Sequence, residues 1–323
     1  MVRIKLIFTL LLVFTGTACG QEWQGIEFPV AEHITGIEMI SADTGFVVTA
    51  GGNFLSTKDG GKNWEITSVC VGVKLESLCF LNRNVGWVCG LKGSIYSTVD
   101  GGKTWYNQSW KDTSSMFIDI EFMSKDTGIA AGMRPDTASA VSPLSIRTTD
   151  GGKSWKPLNS MGMAYSEIRY EKTRHKLSLM SMGRMNTSTD GGNKWKSIYT
   201  IEGSPARTFS LYDAAGIMAG PKGVCAYSAD SGKSWYMNKR GETEHFVSSV
   251  LVDSKRGYIA GLDGMMLSTQ DGGRTWQPET LPWAFYVMDM FAIGNKVFAV
   301  GTDGSIISKT LELSTSRLPA SQK

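Results

Sequence analysis

The feature that most constrains this chain is a six-residue sequence, Asp-Gly-Gly-Lys-x-Trp, which occurs six times with small variations. The first residues of successive copies are 41, 50, 40, 40 and 41 residues apart. A nearly constant period of this length is typical of one supersecondary unit stacked many times. The copies run from Asp59 to Trp64, Asp100 to Trp105, Asp150 to Trp155, Asp190 to Trp195, Asp230 to Trp235 and Asp271 to Trp276.

Each copy, called the Asp-Gly-Gly turn from here on, lies between two runs of strand-forming residues and predicts a hairpin turn. The aspartate can accept hydrogen bonds from the backbone of the turn, and the glycine pair tolerates positive φ. The tryptophan has a large apolar body to bury. The six aspartates and six tryptophans are therefore expected to be structural.

Two further segments recur upstream of the turn. One is small, apolar and ends in glycine, as in Thr127 to Gly132, and it occurs seven times. Another apolar run precedes it, as in Phe117 to Phe122. Each unit thus predicts four short strands, A to D in chain order, with the Asp-Gly-Gly turn between C and D. Four-stranded antiparallel units repeated radially form a β-propeller.

The seventh unit has no Asp-Gly-Gly turn and no tryptophan after it. Elsewhere the tryptophan precedes the next strand-B glycine by 25 to 28 residues, and Trp23 precedes Gly51 by 28. We therefore expect Trp23 and the residues after it to provide strand D of the last blade by pairing with Ser305 to Lys309. This pairing removes two exposed sheet edges. The sequence predicts an all-β, seven-bladed propeller closed by its N-terminal strand.

The N-terminus has the pattern of an export signal. Arg3 and Lys5 precede an apolar stretch that is too short for a membrane span, and small residues follow. We expect a signal peptide over residues 1–18, the propeller over 19–310 and a polar tail over 311–323.

The segment Gly16 to Cys19 resembles a bacterial lipoprotein box, in which the cysteine carries a lipid. The alternative is ordinary cleavage after Ala18. Lipidation of Cys19 would tether the ring close to a membrane without a transmembrane span, in the bacterial periplasm or at the outer membrane.

Composition excludes some classes of partner. The formal charge of the chain is +3, or +1 without Arg3 and Lys5. A net charge this small gives no strong electrostatic attraction to nucleic acid. Cys79 and Cys89 could be neighbours and form a disulfide, although buried free cysteine is common too. Beside Cys19, the cysteines are Cys70, Cys79, Cys89 and Cys225, and no pair has metal-ligand spacing. We expect no metal, no cofactor and a monomer.

Catalysis has little support in the sequence. The three histidines, His33, His175 and His245, fall in different blades, and no serine or cysteine lies in a nucleophile elbow. Glycoside hydrolysis needs two carboxylates in a cleft, and these blades lack long loops to build one.

The turns between strands B and C form a candidate partner-binding rim on the ring face opposite the Asp-Gly-Gly turns. Most of these positions are charged, with a basic arc and an acidic arc, as a surface for a polar, asymmetric partner requires. The alternative is that they are solvated turn residues. The positions are Asn53, Lys92, Arg134, Arg184, Lys222, Asp263 and Asp303, with Arg207, Trp110 and Trp283 nearby.

Two local features stand apart from the repeat. Blade 3 has an insertion from Met133 to Ser145, which is either a binding loop or a tolerated surface insertion. A basic cluster in blade 4 is either a second docking patch, on the side of the Asp-Gly-Gly turns, or a solvated turn. Its members are Arg169, Lys172, Arg174, His175 and Lys176.

The Asp-Gly-Gly turn resembles the Asp-box, or BNR repeat, of sialidases, some glucanases and sorting receptors. The whole unit, best seen from Asp43 to Trp64 and from Val85 to Trp105, is more similar to the photosystem II stability/assembly factor family. That resemblance implies a non-catalytic chaperone that holds a membrane subunit through an arginine patch. We therefore expect an exported scaffold that binds a protein or peptide at the cell envelope. The alternative is a glycan-active or glycan-binding protein of the sialidase-like type.

Overall fold

The computed structural model describes residues 22–135, 141–158, 167–181, 184–200, 206–238, 240–241 and 243–312. Cys19, the whole predicted signal peptide, five residues of the insertion and residues 313–323 lie outside these ranges. The described chain forms seven four-stranded antiparallel sheets, which confirms the predicted seven-bladed propeller. Among the described residues, no helix has the length and apolar character needed to cross a membrane.

Each of the first six sheets uses four consecutive strands. The earliest strand of each is innermost, because its residues line the central cavity. Blade 1 contains β2 (Ile34–Met39), β3 (Gly45–Thr49), β4 (Asn53–Thr57) and β5 (Glu65–Ser68). Blade 2 contains β6 (Leu75–Phe80), β7 (Gly86–Gly90), β8 (Ile95–Thr98) and β9 (Tyr106–Asn107). Blade 3 contains β10 (Met116–Phe122), β11 (Gly128–Pro135), β12 (Val141–Thr148) and β13 (Lys156–Pro157). Blade 4 contains β14 (Glu167–Glu171), β15 (Lys176–Ser181), β16 (Arg184–Ser188) and β17 (Lys196–Thr200). Blade 5 contains β18 (Thr208–Tyr212), β19 (Ala215–Ala219), β20 (Cys225–Ser228) and β21 (Tyr236–Met237). Blade 6 contains β22 (Phe246–Leu251), β23 (Gly257–Gly261), β24 (Met266–Thr269) and β25 (Gln277–Pro278). Short 3-10 turns occur at Lys172–Arg174, Leu262–Gly264 and Thr302–Gly304.

The seventh sheet joins the two ends of the chain. It contains β26 (Val287–Ile293), β27 (Lys296–Gly301) and β28 (Ile306–Thr310), and its outer strand is β1 (Gln24–Ile26). Gly25 lies opposite Ile307 in this antiparallel pair. The adjacent Trp23 is 5% exposed and donates from Nε1 to Glu279 of blade 6, at 3.0 Å. This strand therefore covers the outer edge of blade 7 and links it to its neighbour.

The hydrophobic core lies between neighbouring blades. Phe46 of blade 1 stacks on Phe80 of blade 2 with ring centroids 3.9 Å apart. Trp105, from the Asp-Gly-Gly turn of blade 2, packs edge-on against Phe54 of blade 1 at 5.0 Å. The turn tryptophan thus closes an inter-blade cluster, as its predicted structural role requires.

The hydrogen bonds of the Asp-Gly-Gly turn explain its recurrence. In blade 2, Asp100 accepts from the backbone N–H and hydroxyl of Thr104 at 2.9 and 2.6 Å. The Thr98 hydroxyl donates to Asp100 at 2.8 Å and accepts from the Gly102 N–H at 2.9 Å. Gly101 and Gly102 have φ of 78° and 86°, the left-handed region that favours glycine. In blade 5, Ser231 takes the first glycine position at φ 64°.

These hydrogen bonds also set the ionisation of the turn aspartates. The side-chain and backbone hydrogen bonds from residue 104 lower the pKa of Asp100 to about 2. The corresponding bonds lower the pKa of Asp59, Asp150 and Asp230 to about 2 as well. The aspartates therefore act as charged anchors of their own turns.

The four described cysteines are free. Cys79 lies opposite Trp87 in the blade 2 sheet, whereas Cys89 lies opposite Ser77, so the two side chains are out of register. Burial raises the pKa of both thiols well above the ordinary value. These cysteines behave as small apolar core residues.

Candidate functional site

The B-to-C turns and the loops between blades lie on one face of the ring. In blade 2, the N–H of Trp110 donates to the Gly93 carbonyl at 2.8 Å, and the N–H of Gly93 donates to the Ser115 carbonyl at 2.7 Å. The loop before β10 therefore wraps around the turn between β7 and β8. This contact places the predicted rim residues and the inter-blade loops on a common surface.

Four predicted rim residues have the same backbone geometry. Lys92, Lys222, Asp263 and Asp303 are exposed and have φ between 55° and 58°. Each precedes a glycine that also has positive φ, so these residues shape the turn as well as carrying charge. Aspartate tolerates this left-handed conformation better than lysine does, so the two lysines adopt it at some cost.

Three other predicted turn positions lie in strands instead. Asn53 is the first residue of β4, and its amide donates to Glu32 at 3.0 Å. Arg184 is the first residue of β16 and is exposed. Arg134 lies within β11 and pairs with Ser142 of β12. The blade 3 insertion lengthens both strands to eight residues, so it begins as a β-ribbon and not as a loop.

The two predicted aromatic contacts differ in exposure. Trp283 is 41% exposed and donates from Nε1 to the Ser305 hydroxyl at 3.0 Å, beside the last B-to-C turn. Trp110 is half-buried and packs against the core between blades 2 and 3. Trp283 therefore offers an accessible apolar surface, while much of Trp110 serves packing.

The basic cluster of blade 4 is divided between two places. Arg174 and Lys176 form ion pairs with Glu171 at 3.2 and 2.7 Å, near the turn between β14 and β15. Arg169 lies on the innermost strand and forms an ion pair with Glu167 inside the ring. The five residues therefore do not share one surface, because alternate side chains of an innermost strand point into the central channel.

The central channel is the feature that the sequence reasoning missed. A cavity of about 540 Å³ lies between the innermost strands, and Arg207, a predicted rim residue, lies on its wall. Six carboxylates face it against two arginines, Arg169 and Arg207. These carboxylates are Glu38, Glu76, Asp119, Glu121, Glu167 and Asp289.

Four of the carboxylates bridge neighbouring blades. Innermost strands fan apart and cannot pair with each other, so a side chain of one strand accepts from a backbone N–H of the next. The bridges are Phe80 N–H to Glu38 at 2.7 Å, Ile168 N–H to Asp119 at 2.7 Å, Phe209 N–H to Glu167 at 2.8 Å and Ile37 N–H to Asp289 at 3.1 Å. In the same way, the Ser210 hydroxyl accepts a hydrogen bond from the Leu251 N–H, and the Cys79 sulfur accepts one from the Phe122 N–H.

Burial dominates the ionisation of three of the four bridging acids. It raises the pKa of Glu38 and Glu167 to about 7 and that of Asp289 to about 6, although hydrogen bonds or nearby cations oppose the shift. Burial would lower the pKa of Arg169, but its carboxylate neighbours, Glu167 and Asp119 foremost, raise it overall. The channel therefore holds the partly exposed, permanently charged guanidinium of Arg169 among acids that resist ionisation.

Glu121 differs from the bridging acids. Its carboxylate has one polar contact within the described chain, from the Cys79 thiol at 3.9 Å. Burial, followed by the nearby charges of Asp119 and Glu38, raises its pKa to about 8. The pKa of Glu121 is thus raised further than that of Glu38, Glu167 or Asp289, although Glu121 does not bridge two blades. A signal was present in the sequence, since acids interrupt apolar strand-A runs such as 117–122, but their convergence was not predicted.

Comparisons with known proteins relate the chain to other propellers. No family model and no curated protein matches the sequence. A solved structure described as YCF48 bound to D1 peptide is 20% identical, with a TM-score of 0.71, and the match covers 90% of this chain and 97% of that chain.

Two further structures match over the same extent. YCF48 from Cyanidioschyzon merolae is 15% identical with a TM-score of 0.69, over 90% of this chain and 98% of that one. The WD40 β-propeller domain of Doa1 is 14% identical with a TM-score of 0.69, over 91% and 98%. At these identities the likeness concerns the fold, and the chain is a propeller of the same architecture as YCF48 and the Doa1 domain.

Proposed function

We propose that this protein is an exported, non-catalytic scaffold that binds a protein or peptide at the cell envelope through the rim of B-to-C turns. The observation that carries the proposal is the arrangement of exposed charge there. Lys92, Arg184 and Lys222 have no ion-pair partner among the described residues, while Asp263 and Asp303 form an acidic arc further round the ring. A split surface of this kind orients a polar partner.

The comparison with YCF48 supports the same reading. The matched structure contains YCF48 with a D1 peptide, and it aligns with this chain over nearly its whole length. That neighbour, a propeller of the same fold, is thus described with a peptide bound to it. We propose that this chain is a member of the photosystem II assembly factor-type propellers, with the turn sequence of Asp-box repeats, and that it acts as a monomer.

The N-terminal pattern supports a position at the membrane. Trp23 lies next to strand β1, so a lipid on Cys19 would be separated from the ring by three residues. We propose lipid anchoring of Cys19 in a bacterial envelope. Metabolic labelling with a clickable palmitate analogue should label the wild-type protein and not the Cys19→Ala variant. Equal labelling of both proteins would exclude this anchor.

The glycan-active alternative has less support from the channel. A glycosidase needs two carboxylates free to act across an open cleft. Glu38, Asp119, Glu167 and Asp289 instead accept backbone hydrogen bonds between blades, which favours an architectural use. The scaffold function is therefore the better supported of the two. Retention or hydrolysis of an oligosaccharide on an array would support the glycan-active alternative.

Site-specific photo-crosslinking tests the proposed rim. A photoreactive amino acid at Lys92 or Lys222 should yield one discrete crosslinked partner in cells. The same residue at Lys62 or Lys103, exposed on the opposite face, should not yield it. The charge reversal K92E/R184E/K222E should weaken the crosslink, whereas K62E/K103E/K233E should leave it intact. Crosslinks of equal yield from both faces, or from neither, would contradict the proposal.

A further inference from the structure

An apolar loop crosses the rim between blades 6 and 7. Its six residues, Leu281 to Tyr286, are all aliphatic, proline or aromatic. Phe285 is buried and anchors the loop, whereas Trp283 and Tyr286 are 41% and 44% exposed. Grouped exposed apolar side chains mark interaction sites more often than scattered ones do. The loop therefore presents large apolar side chains to solvent as well as to the core.

The loop runs from the outer edge of the ring to the mouth of the central channel. The Trp283 ring lies over the outermost strand β1, where a Cβ added to Gly25 would be 2.5 Å from it. Tyr286 directly precedes the innermost strand β26, and Leu262, which is 36% exposed, lines the central cavity. We call this radial apolar surface the blade 6–7 strip. Its residues are Leu262, Pro282, Trp283, Ala284 and Tyr286.

The B-to-C turns of blades 6 and 7 lie on either side of the strip. On the blade 6 side, a Cβ added to Gly264 would be 3.1 Å from the Cα of Ala284, so this turn lies against the loop. On the blade 7 side, the Tyr286 carbonyl accepts from the Thr302 N–H at 3.1 Å. The loop and both turns therefore form one surface.

Both flanking turns carry an exposed carboxylate, from Asp263 and Asp303. The Asp303 side chain is 83% exposed and lies 3.6 Å from Nδ1 of His33, which is charged only when protonated. No lysine or arginine occurs in residues 262–264, 281–286 or 302–304. The strip therefore combines apolar side chains with negative charge on both sides and no permanent cation of its own.

The apolar character of this loop is local and is not imposed by the repeat. The corresponding loop between blades 5 and 6 carries an ion pair between Arg240 and Glu244 at 2.8 Å. In the loop between blades 2 and 3, Lys111 is exposed and Trp110 is half-buried. Loops at equivalent positions thus satisfy the fold with polar residues, so packing within the ring does not account for the exposed aromatic residues of the strip.

The chemistry of the strip selects the kind of peptide segment that it fits. A lysine or arginine gains charge-assisted hydrogen bonds from a carboxylate and a favourable contact with an indole face. We propose that the blade 6–7 strip binds a segment of the partner peptide in which large apolar residues are flanked by arginine or lysine. This inference rests on the proposed peptide-binding function. The carboxylates of Asp263 and Asp303 would oppose contact with an anionic lipid surface, which favours a peptide over a membrane.

Fluorescence anisotropy tests the strip with the labelled peptide Gly-Arg-Leu-Phe-Leu-Arg-Gly. One matched peptide replaces both arginines by citrulline, a neutral isostere, and another replaces Leu-Phe-Leu by Ser-Gly-Ser. We expect the first peptide to bind the wild-type protein at least about tenfold more tightly than the citrulline peptide, as loss of hydrogen bonds to a charged group implies. The Ser-Gly-Ser peptide should also bind more weakly, because it has no apolar residue to bury.

A pair of charge variants tests the carboxylates without changing the shape of the turns. Asp263 and Asp303 have φ of 58° and 55°, a conformation that asparagine tolerates as aspartate does. D263N/D303N should reduce the affinity for the arginine peptide to that for the citrulline peptide, and leave the citrulline peptide unaffected. D43N/D126N should bind as the wild-type protein does. These two exposed acids lie on the opposite face, where their carbonyls accept from the Asp-Gly-Gly turns.

Variants of the strip itself test the apolar contact. Trp283→Ser should weaken the arginine and citrulline peptides by a similar factor, because it removes apolar area and leaves the carboxylates in place. Tyr286→Ser should do the same without disturbing the contact between Trp283 and Gly25. Equal affinity of the arginine and citrulline peptides, equal affinity of D263N/D303N and wild type, or no saturable binding would overturn the proposal.

Phosphatidylcholine vesicles test a membrane as the other occupant. If Trp283→Ser reduces sedimentation with vesicles while the wild-type protein binds none of the peptides, the strip is a membrane contact and the peptide assignment is wrong. Failure of this inference is distinguishable from failure of the proposed function, because Lys92 and Lys222 lie on other blades. Rim crosslinks from these two positions without peptide binding at the strip would reject the strip alone.

Discussion

The Glu38 carboxylate of blade 1 accepts a hydrogen bond from the Phe80 N–H of blade 2 at 2.7 Å, so an acid on one innermost strand satisfies the backbone of the next. Blades of a propeller share no backbone ladder, and their cohesion relies on apolar packing and on such bridges. Because burial raises the pKa of three bridging acids, Glu38, Glu167 and Asp289, cohesion of the ring is linked to pH.

Stability should fall as pH rises from about 5 to 9. Burial raises the pKa of Glu38 and Glu167 to about 7 and that of Glu121 to about 8, from an ordinary value of 4.5. The folded state then binds more protons than the unfolded state, and this advantage disappears as pH passes through the folded pKa values. Melting temperatures measured at constant ionic strength should decrease across this range.

Glu121→Gln isolates one contributor to the pH dependence. It should raise the melting temperature at pH 9 by a few degrees, since ~1 kcal/mol corresponds to roughly 2–4 °C in a large domain. At pH 5 it should have little effect, and Glu65→Gln should change neither value. An unchanged slope in Glu121→Gln would show that this carboxyl does not contribute.

The Thr98 hydroxyl should be needed in the Asp-Gly-Gly turn of blade 2. Thr98→Ala removes the acceptor of the buried Gly102 N–H, and an unsatisfied buried donor costs about 1–3 kcal/mol. Thr98→Ser should cost much less, because Ser188 and Ser228 make the same bonds in blades 4 and 5. Urea denaturation compares the two variants, and equal losses would contradict the hydrogen-bond explanation.

Gly102 should not tolerate a side chain. A Cβ there would lie 2.1 Å from a ring atom of the buried Phe54, at a φ of 86°. Gly102→Ala should therefore lower stability far more than Gly72→Ala, where φ is 69° but no atom lies within 4 Å of the added Cβ. Thermal unfolding of both variants separates steric overlap from backbone strain, and similar melting temperatures would exclude the steric contribution.

Trp23 should be required for closure of the ring. Its ring contacts Tyr258 edge-on at 5.4 Å, and its indole N–H donates to Glu279. Trp23→Ala should cost about 3–5 kcal/mol, as for other large buried aromatics, and should accelerate hydrogen exchange in Ile306–Thr310. Tyr106→Ala, at a 57% exposed aromatic of β9 in blade 2, is the control, for which we expect a smaller loss and no change in β28. Unchanged exchange in β28 would show that the closing strand is dispensable.

Much of the fold was predictable because its determinants are local and repeated. The Asp-Gly-Gly turn carries its own hydrogen bonds within a few residues, from Thr98 to Thr104 in blade 2, so its role follows from sequence spacing. The constant spacing of the repeats then gives the number of blades. The rim was predicted less well, since Arg134 and Asn53 lie in strands once the hairpin lengths are known.

The sequence by itself determined the repeating four-stranded unit, the number of blades and the structural role of each turn aspartate and tryptophan. Only the tertiary structure decided that Glu38, Asp119, Glu121 and Glu167 face one cavity and that Arg169 lies among them. The physical reason is distance along the chain. These side chains come from blades 1, 3 and 4, which are separated by at least 46 residues of sequence. An acid in a short strand has the same local pattern whether it faces solvent or the axis of a closed ring.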